Sequence, residues 1–214
     1  MTTTEAVLHT GGPEDLTDCS TLLTRLTRLD AAGLVRLQQT GDHVTLWAQP
    51  LGVVVRRQVR ARMTVDDRTF LSVQLLAAVD CAADAAVQLP APRDESWRVT
   101  LPPLAGWSAL DAVPVRVVRH LAVGAGRVVR GARDPAAAGE SLLDREALRV
   151  AHGADEVTLP VRVVVVLARM GFLGGYEHSE DAVRVACTPA WTRVAARHGT
   201  AYQRRGGLGR LSLA

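Results

Sequence analysis

The sequence predicts an α+β fold, built mostly of antiparallel strands and hairpins with about four helices packed on them. Apolar residues recur with a helical period in some segments and alternate with a period of about two in others. Turn-forming Gly, Asp and Pro residues separate the alternating segments at distances short enough for hairpins. The chain has 214 residues, of which 48% are hydrophobic and 22% charged. This composition is typical of a folded globular protein.

The first half of the chain, residues 18–86, is predicted to follow the order α-β-β-β-β-α after a flexible N-terminal segment 1–17. Leucines at 22, 23, 26 and 29 share one face of a helix that ends near Gly33. Two alternating segments then flank the turn signal Thr40-Gly41-Asp42, which predicts a hairpin. Two further strands, within 53–63 and 68–72, precede a helix over 73–86.

A connector is expected at residues 87–107, which contain four of the ten prolines together with Trp97 and Trp107. The second half, residues 108–200, begins with a predicted helix over 113–133. A break rich in Ala, Gly and Pro follows that helix, and a hairpin is predicted around Gly153. The connector therefore separates two halves that each combine helices with hairpins.

The valine-rich segment after Pro160 is predicted to be a helix. Arg162 and Arg169 lie seven residues apart, which places them on the same face of a helix but on opposite faces of a strand. A strand-turn-strand pair then completes the second half. Residues 201–214 are expected to form a basic, Gly/Arg-rich C-terminal tail, and their run of Arg and Gly resembles short nucleic-acid-binding tails.

A weak internal repeat relates the two halves at a constant offset of 139 residues. Asp42, Val44, Leu46, Pro50 and Val55 superpose on Asp181, Val183, Val185, Pro189 and Val194. A helix ending in glycine precedes each copy. Chance in so biased a composition is one explanation, and a duplicated helix-hairpin unit, which predicts a fold with a pseudo-twofold axis, is the other.

The composition excludes several enzyme classes. The chain has no Lys, Asn or Ile, so all 25 of its basic residues other than histidine are Arg. A P-loop and a Schiff-base cofactor both require lysine, so neither is expected. These absences resemble the composition of uncharacterised proteins from high-GC actinobacteria, a resemblance that implies no function. No catalytic residue, cofactor or metal site is predicted.

Cysteine usage and hydropathy predict a cytoplasmic protein. Cys19, Cys81 and Cys187 are an odd number at wide spacing, which favours reduced thiols. The N-terminus lacks the basic and apolar regions of a signal peptide, and the longest apolar stretch is too short to cross a bilayer. We therefore expect no contact with a membrane.

Charge is distributed unevenly along the chain. Residues 1–107 carry 10 Arg and 12 acidic residues, a net charge of −2, whereas residues 108–214 carry 15 Arg and 10 acidic residues, a net charge of +5. In the helix predicted over 113–133, helical spacing gathers a basic stripe on one side. We call this set of residues the basic stripe; it consists of Arg116, Arg119, His120, Arg127 and Arg130. The opposite, core-facing side contains Val117, Val118, Leu121, Val128 and Val129.

Residues 21–49 resemble the recognition helix and wing of winged-helix DNA-binding regulators. The resemblance implies that Thr24, Arg25, Thr27 and Arg28 face a DNA groove and that Arg36 lies at the wing. A winged helix needs two helices ahead of this one, and the preceding residues are poor in helix formers. A helix packed on a sheet is the alternative.

Three functional hypotheses remain open. The favoured one is a non-enzymatic protein that acts through the basic stripe on a protein partner or a polyanion. The second is a DNA-binding regulator that uses Arg25, Arg28 and Arg36. The third is a small-molecule enzyme of unknown class, because a fold class does not exclude chemistry. Homo-oligomerisation is left open.

Overall fold

The fold consists of two similar halves that share one antiparallel sheet. The computed structural model describes residues 6–82, 85–153, 155–178 and 180–205. The first half contains β1 (Val7–Thr10), α1 (Pro13–Leu29), β2 (Leu34–Thr40), β3 (His43–Ala48), β4 (Val54–Met63), β5 (Asp67–Leu71), α2 (Ser72–Asp80) and β6 (Ala86–Gln88). The second contains β7 (Ser108–Pro114), α3 (Val115–Gly131), α4 (Pro135–Leu143), β8 (Glu146–His152), β9 (Asp155–Pro160), α5 (Val161–Arg169), β10 (Ala182–Cys187), β11 (Trp191–Ala196) and β12 (Gly199–Arg204). The α+β prediction is confirmed, with five helices in the described ranges where about four were expected.

The sheet shows a pseudo-twofold arrangement. Its main path has the order β5-β2-β3-β4-β12-β11-β10-β7, and all of its pairs are antiparallel. β4 and β12 meet at the centre, where Val55 pairs with Ala201. Moving outward from this line, each half presents a three-strand meander and then an edge strand. In each half one helix precedes the meander, α1 or α5, and another follows the edge strand, α2 or α3.

The predicted repeat of a helix-hairpin unit is therefore present, but the strands that match between the halves are not those that the sequence offset of 139 residues predicted. An offset of 139 superposes β3 on β10, whereas the sheet order matches β2 with β10 and β3 with β11. The segment between helix and meander explains the difference, because its length is not conserved between the halves. β2 begins at Leu34, soon after α1 ends at Leu29, whereas β10 begins at Ala182, well after α5 ends at Arg169.

Residues 7–17 contain β1 and the start of α1, where the flexible segment 1–17 was predicted, and residues 1–5 of that segment lie outside the described residues. β1 pairs with both β4 and β6, so Leu8 lies between Met63 and Val87 and is buried. Pro13 occupies the first turn of α1, a position that needs no backbone N–H donor. A strand of four residues is too short to show a period in the sequence.

Three elements in the second half were not predicted: β7, α4 and β12. β7 takes up residues 113 and 114 of the predicted helix 113–133, so that α3 begins at Val115. The Ala/Gly/Pro-rich break contains α4. Asp134 stabilises the start of this helix, since its side chain accepts hydrogen bonds from the amides of Ala136 and Ala137, each at 3.1 Å. The predicted tail 201–214 begins inside β12, where Ala201 and Tyr202 are both buried. The part of that predicted tail from residue 206 onward lies outside the described residues.

Both faces of the sheet are covered. The helices cover one face, where Leu23, Leu26, Leu75, Val118 and Leu167 join the inward side chains of the strands in the main core. On the other face, a smaller cluster contains Trp47, Val54, Trp191 and Tyr202, and Trp97 and Trp107 of the segment between the halves pack against it. Among the described helices, none combines the length and apolarity needed to span a membrane.

Candidate interaction surface on helix α3

Helix α3 carries the predicted basic stripe. Pro114 ends β7 in an extended conformation, and the helix begins at the next residue. Val115, Val118 and Ala125 are buried, so the opposite side of α3 faces solvent. Val128, expected on the core side, is 58% exposed. The structure leaves four members of the stripe exposed, Arg116, His120, Arg127 and Arg130, and half-buries the fifth, Arg119.

Arg119 is bound by the protein itself. Its Nη2 donates hydrogen bonds to the carbonyl oxygens of Leu173, Gly174 and Gly175 at 3.5, 3.2 and 2.9 Å. Its guanidinium carbon also lies 4.9 Å from the centroid of the Tyr176 ring, within the range of a cation–π contact. These contacts attach the segment between α5 and β10 to α3. Arg119 is therefore a framework residue more than a binding residue.

The remaining arginines of the stripe differ in their partners. Arg116 forms an exposed ion pair with Glu180, with an Nη1–Oε2 distance of 2.8 Å. No carboxylate of a described residue pairs with Arg127 or Arg130. Two uncompensated guanidiniums on one exposed helix face can bind carboxylate or phosphate oxygens in a bidentate manner.

A groove of about 430 Å³ borders the stripe between α3, α4 and α5. Its walls are mainly apolar, and Ala122, Val123, Leu142, Leu143, Val161 and Val165 contribute to them. The charged residues that line it are all arginines, Arg119, Arg130 and Arg169. A Cβ atom at Gly126 would lie 3.3 Å from Nη1 of Arg130, which shows that this guanidinium lies close over the wall of the groove.

Sequence reasoning identified one wall of this groove and missed the others. Arg169 was noted only as evidence for a helix, together with Arg162. In the structure the two arginines have different surroundings. Arg162 donates to the carbonyl of Leu51 at 2.7 Å and pairs with Asp144, whereas Arg169 lines the groove. The leucines of α4 carried no signal, since that helix was not predicted.

The helices that the pseudo-twofold axis relates differ in charge. α1 and α2 contain two Arg and four acidic residues, whereas α3 and α5 contain six Arg and no acidic residue. The positive potential of the second half is therefore concentrated on one pair of helices. A polyanion would be attracted to α3 and α5 and not to α1 and α2.

The residues predicted to contact DNA in a winged helix are not brought together. Arg25 donates from Nη1 to the carbonyl of Met170 at 3.0 Å, on the helical side of the sheet. Arg36 lies on the other face, near the Trp97 ring, and pairs with Asp67 at 2.6 Å. Arg28 is exposed in the last turn of α1. α1 is preceded by a strand and packs on the sheet, so the winged-helix arrangement is absent from the described chain.

Asp67 holds Arg36 firmly. Partial burial acts to raise the pKa of the Asp67 carboxyl, but hydrogen bonds from Arg36 and Gln38 outweigh it, and the pKa lies below its ordinary value. The same hydrogen bond raises the pKa of Arg36. The charge of Arg36 is therefore compensated within the protein.

The fold of the chain resembles that of bacterial sliding clamps. The chain is similar in fold to the beta sliding clamp of Caulobacter crescentus, with a TM-score of 0.58 and 14% identity over 95% of this chain and 66% of that one. It is also similar to the DNA polymerase III beta chain of Streptococcus pneumoniae, with a TM-score of 0.60 and 7% identity over 94% of this chain and 64% of that one. The chain spans slightly less than two thirds of the length of these clamps. A likeness at this level of identity establishes the fold alone.

The sequence defines the family more closely. Residues 102–208, half of the chain, match the model of a domain of unknown function, DUF8185, and the chain belongs to this family. Residues 3–99 match the model of a second domain of unknown function, DUF8010. The boundary between the two matches falls in the segment that joins the halves. A search of curated proteins finds no match.

Proposed function

We propose that this protein is a non-enzymatic interaction module that binds an acidic protein partner through Arg116 and Arg127 of the basic stripe. The observation that carries the proposal is Arg127, which is exposed on α3 together with Arg116 and lacks a carboxylate partner among the described residues. An acidic segment would supply the missing charge-assisted hydrogen bonds. The cysteines Cys19, Cys81 and Cys187 are all free, which favours action in the cytoplasm.

The fold supports an interaction role. One clamp with this fold, from Helicobacter pylori, is known in a complex with a DNA ligase peptide. A scaffold that recruits other proteins needs a stable framework and an exposed binding face, and α3 provides such a face. The site on α3 is inferred from this chain's own charges, independently of that peptide complex.

Reversal of charge on the stripe tests the proposal. We expect Arg116→Glu/Arg127→Glu to abolish capture of the partner by the immobilised protein without loss of folding. The Arg116–Glu180 ion pair is exposed, so its loss costs little stability. Arg119 and Arg130 are left unchanged because Arg119 holds the framework and Arg130 belongs to the groove. The measurement is a quantitative pulldown with identification of the bound proteins, supported by circular dichroism.

The matched control is Arg62→Glu/Arg93→Glu. Both arginines are exposed, Arg62 in the first half and Arg93 in the segment that joins the halves, so this variant has the same change in net charge outside α3. A partner that is lost equally from both variants responds only to net charge. Retention of every specific partner by Arg116→Glu/Arg127→Glu would refute the proposed surface.

DNA binding is the second candidate function. The likeness to proteins named as DNA polymerase beta subunits favours it. Arg127, Arg130 and Arg169 of α3 and α5 are exposed and pair with no described carboxylate, so they provide a positive surface. Binding to random duplex DNA would then weaken steeply as salt increases. The stripe variant would weaken it further, whereas Arg28→Glu would have little effect. Absence of binding at low salt would eliminate this candidate.

A further inference from the structure

Helix α4 packs on the molecule without burying any side chain fully. It runs from Pro135 to Leu143, and none of its residues is buried. Leu142 and Leu143 are half-buried and line the groove that α4 forms with α3 and α5. An amphipathic helix normally gains most of its stability from burial of its apolar face. α4 therefore leaves apolar surface that an occupant of the groove would cover.

The groove has the size of a small-molecule site. Its volume of about 430 Å³ falls within the range of about 300–1,000 Å³ that is usual for ligand pockets. Its apolar walls come from three helices, so an apolar body placed there would be covered from several sides. Val123 of α3, which is 44% exposed, lies at the edge of the groove and would gain further cover.

The charged groups that line the groove favour a negatively charged ligand. Arg130 and Arg169 both line it, and no carboxylate of a described residue pairs with either. No Asp or Glu is among the lining residues, and Arg119 at the same groove is held by loop carbonyls. Two uncompensated guanidiniums beside an apolar cavity match a molecule that has an anionic head and an apolar body.

We propose that the groove between α3, α4 and α5 binds a small amphipathic anion, with an apolar body against Leu142, Leu143 and Val165 and a carboxylate or phosphate head at Arg130 and Arg169. This site does not depend on the acidic protein partner proposed above. The stripe residues Arg116 and Arg127 do not line the groove. Failure of one proposal therefore leaves the other intact.

Titration calorimetry of the full chain tests the chemistry. The probes are dodecanoate, dodecyl phosphate and dodecyltrimethylammonium, all below their micelle concentrations. We expect saturable binding of both anions at one site per chain and at least tenfold weaker binding of the cation. Binding of both anions separates the shared chemistry from a preference for carboxylate or phosphate. Equal binding of anion and cation would refute the role of the arginines.

Variants of the groove locate the site. Arg130→Gln/Arg169→Gln should weaken dodecanoate binding at least tenfold, whereas Arg116→Glu/Arg127→Glu should leave it unchanged. Gly139→Leu should abolish binding, because Gly139 lines the groove and a leucine side chain there would occupy its space. A Cβ at this position would meet no other atom within 4 Å. The open space and the better helix propensity of Leu favour folding of this variant.

Gly139→Ala is the matched control, since it makes the same gain in helix propensity without filling the groove. It should bind dodecanoate as the unchanged protein does. If Gly139→Leu folds and still binds with unchanged affinity, the occupied site is elsewhere and the proposal is wrong. An acidic peptide bound at the stripe should not displace bound dodecanoate. Displacement would show that the two sites are not independent.

Discussion

Cys19 is a residue whose ionisation folding changes strongly. Burial on the core side of α1 raises the pKa of its thiol from 9.0 to about 12, and the neighbouring Asp18 carboxylate adds to this effect. The unfolded chain therefore releases this proton at a lower pH than the folded protein. The stabilisation is complete below pH 9 and is lost progressively as the pH rises towards 12.

We predict that this thiol alone lowers the free energy of unfolding by about 1 kcal/mol between pH 9 and pH 10. The measurement is urea unfolding at each pH. Cys19→Ala removes the ionisable group and should show a smaller decline, although its stability at pH 8 is reduced. Cys81→Ala, in which the replaced thiol is exposed, should retain the full decline. Equal slopes for all three proteins would contradict the prediction.

Arg119 illustrates what a helical period can and cannot reveal. The spacing of charges correctly placed it on one side of α3 with Arg116 and Arg127, because this depends only on the geometry of one helix. It could not show that the carbonyls of residues 173–175 lie within hydrogen-bonding distance, because that contact joins segments more than fifty residues apart. The same limit hid the partners of Arg25 and Arg36.

At the scale of elements, local signals were reliable and pairing between distant segments was not. The β2–β3 hairpin follows from its turn, where Gly41 adopts a φ of 62°, a conformation that favours glycine. α5 follows from the spacing of its arginines. β1 and β6 were missed because each is short and pairs only with strands far away in sequence. β12 forms a hairpin with β11, but it was missed because its residues from 201 onward were assigned to a basic tail.

The seam between β4 and β12 gives an element-scale prediction. Tyr202 of β12 is 4% exposed, and its ring centroid lies 5.8 Å from that of Trp47 and 5.7 Å from that of Trp107. Tyr202→Ala should lower the free energy of unfolding by about 3 kcal/mol, because it leaves a cavity between the halves. Urea unfolding at neutral pH measures this loss.

The second tyrosine of the chain provides the control. Tyr176 is 79% exposed, so Tyr176→Ala removes a ring of the same size with little loss of burial. Its effect on stability should remain below about 1 kcal/mol. A similar loss for both variants would show that the aromatic cluster does not hold the seam together.

At the scale of the whole molecule, the match to two family models does not imply two independent folding units. One continuous core contains side chains from both halves, from Leu8 to Ala201. Polar contacts also cross between them, since Arg57 of β4 donates to the carbonyl of His198 at 2.8 Å. The halves should therefore depend on each other for stability.

We predict a single cooperative unfolding transition. In differential scanning calorimetry the calorimetric and van't Hoff enthalpies should agree, as they do for a two-state protein. Two separate heat-absorption peaks, or a calorimetric enthalpy well above the van't Hoff value, would show that the halves melt independently. Tyr202→Ala should lower the temperature of the one peak and should not divide it into two.

The unequal charge of the two helix pairs would orient the molecule before it contacts a polyanion. With acidic α1 and α2 on one side of the pseudo-twofold axis and arginine-rich α3 and α5 on the other, the molecule has a permanent electric dipole. In the field of a polyanion it would turn while still diffusing, so that most encounters begin with α3 and α5 in front. A fold whose two halves have similar backbones is thus asymmetric in the charge of its helices.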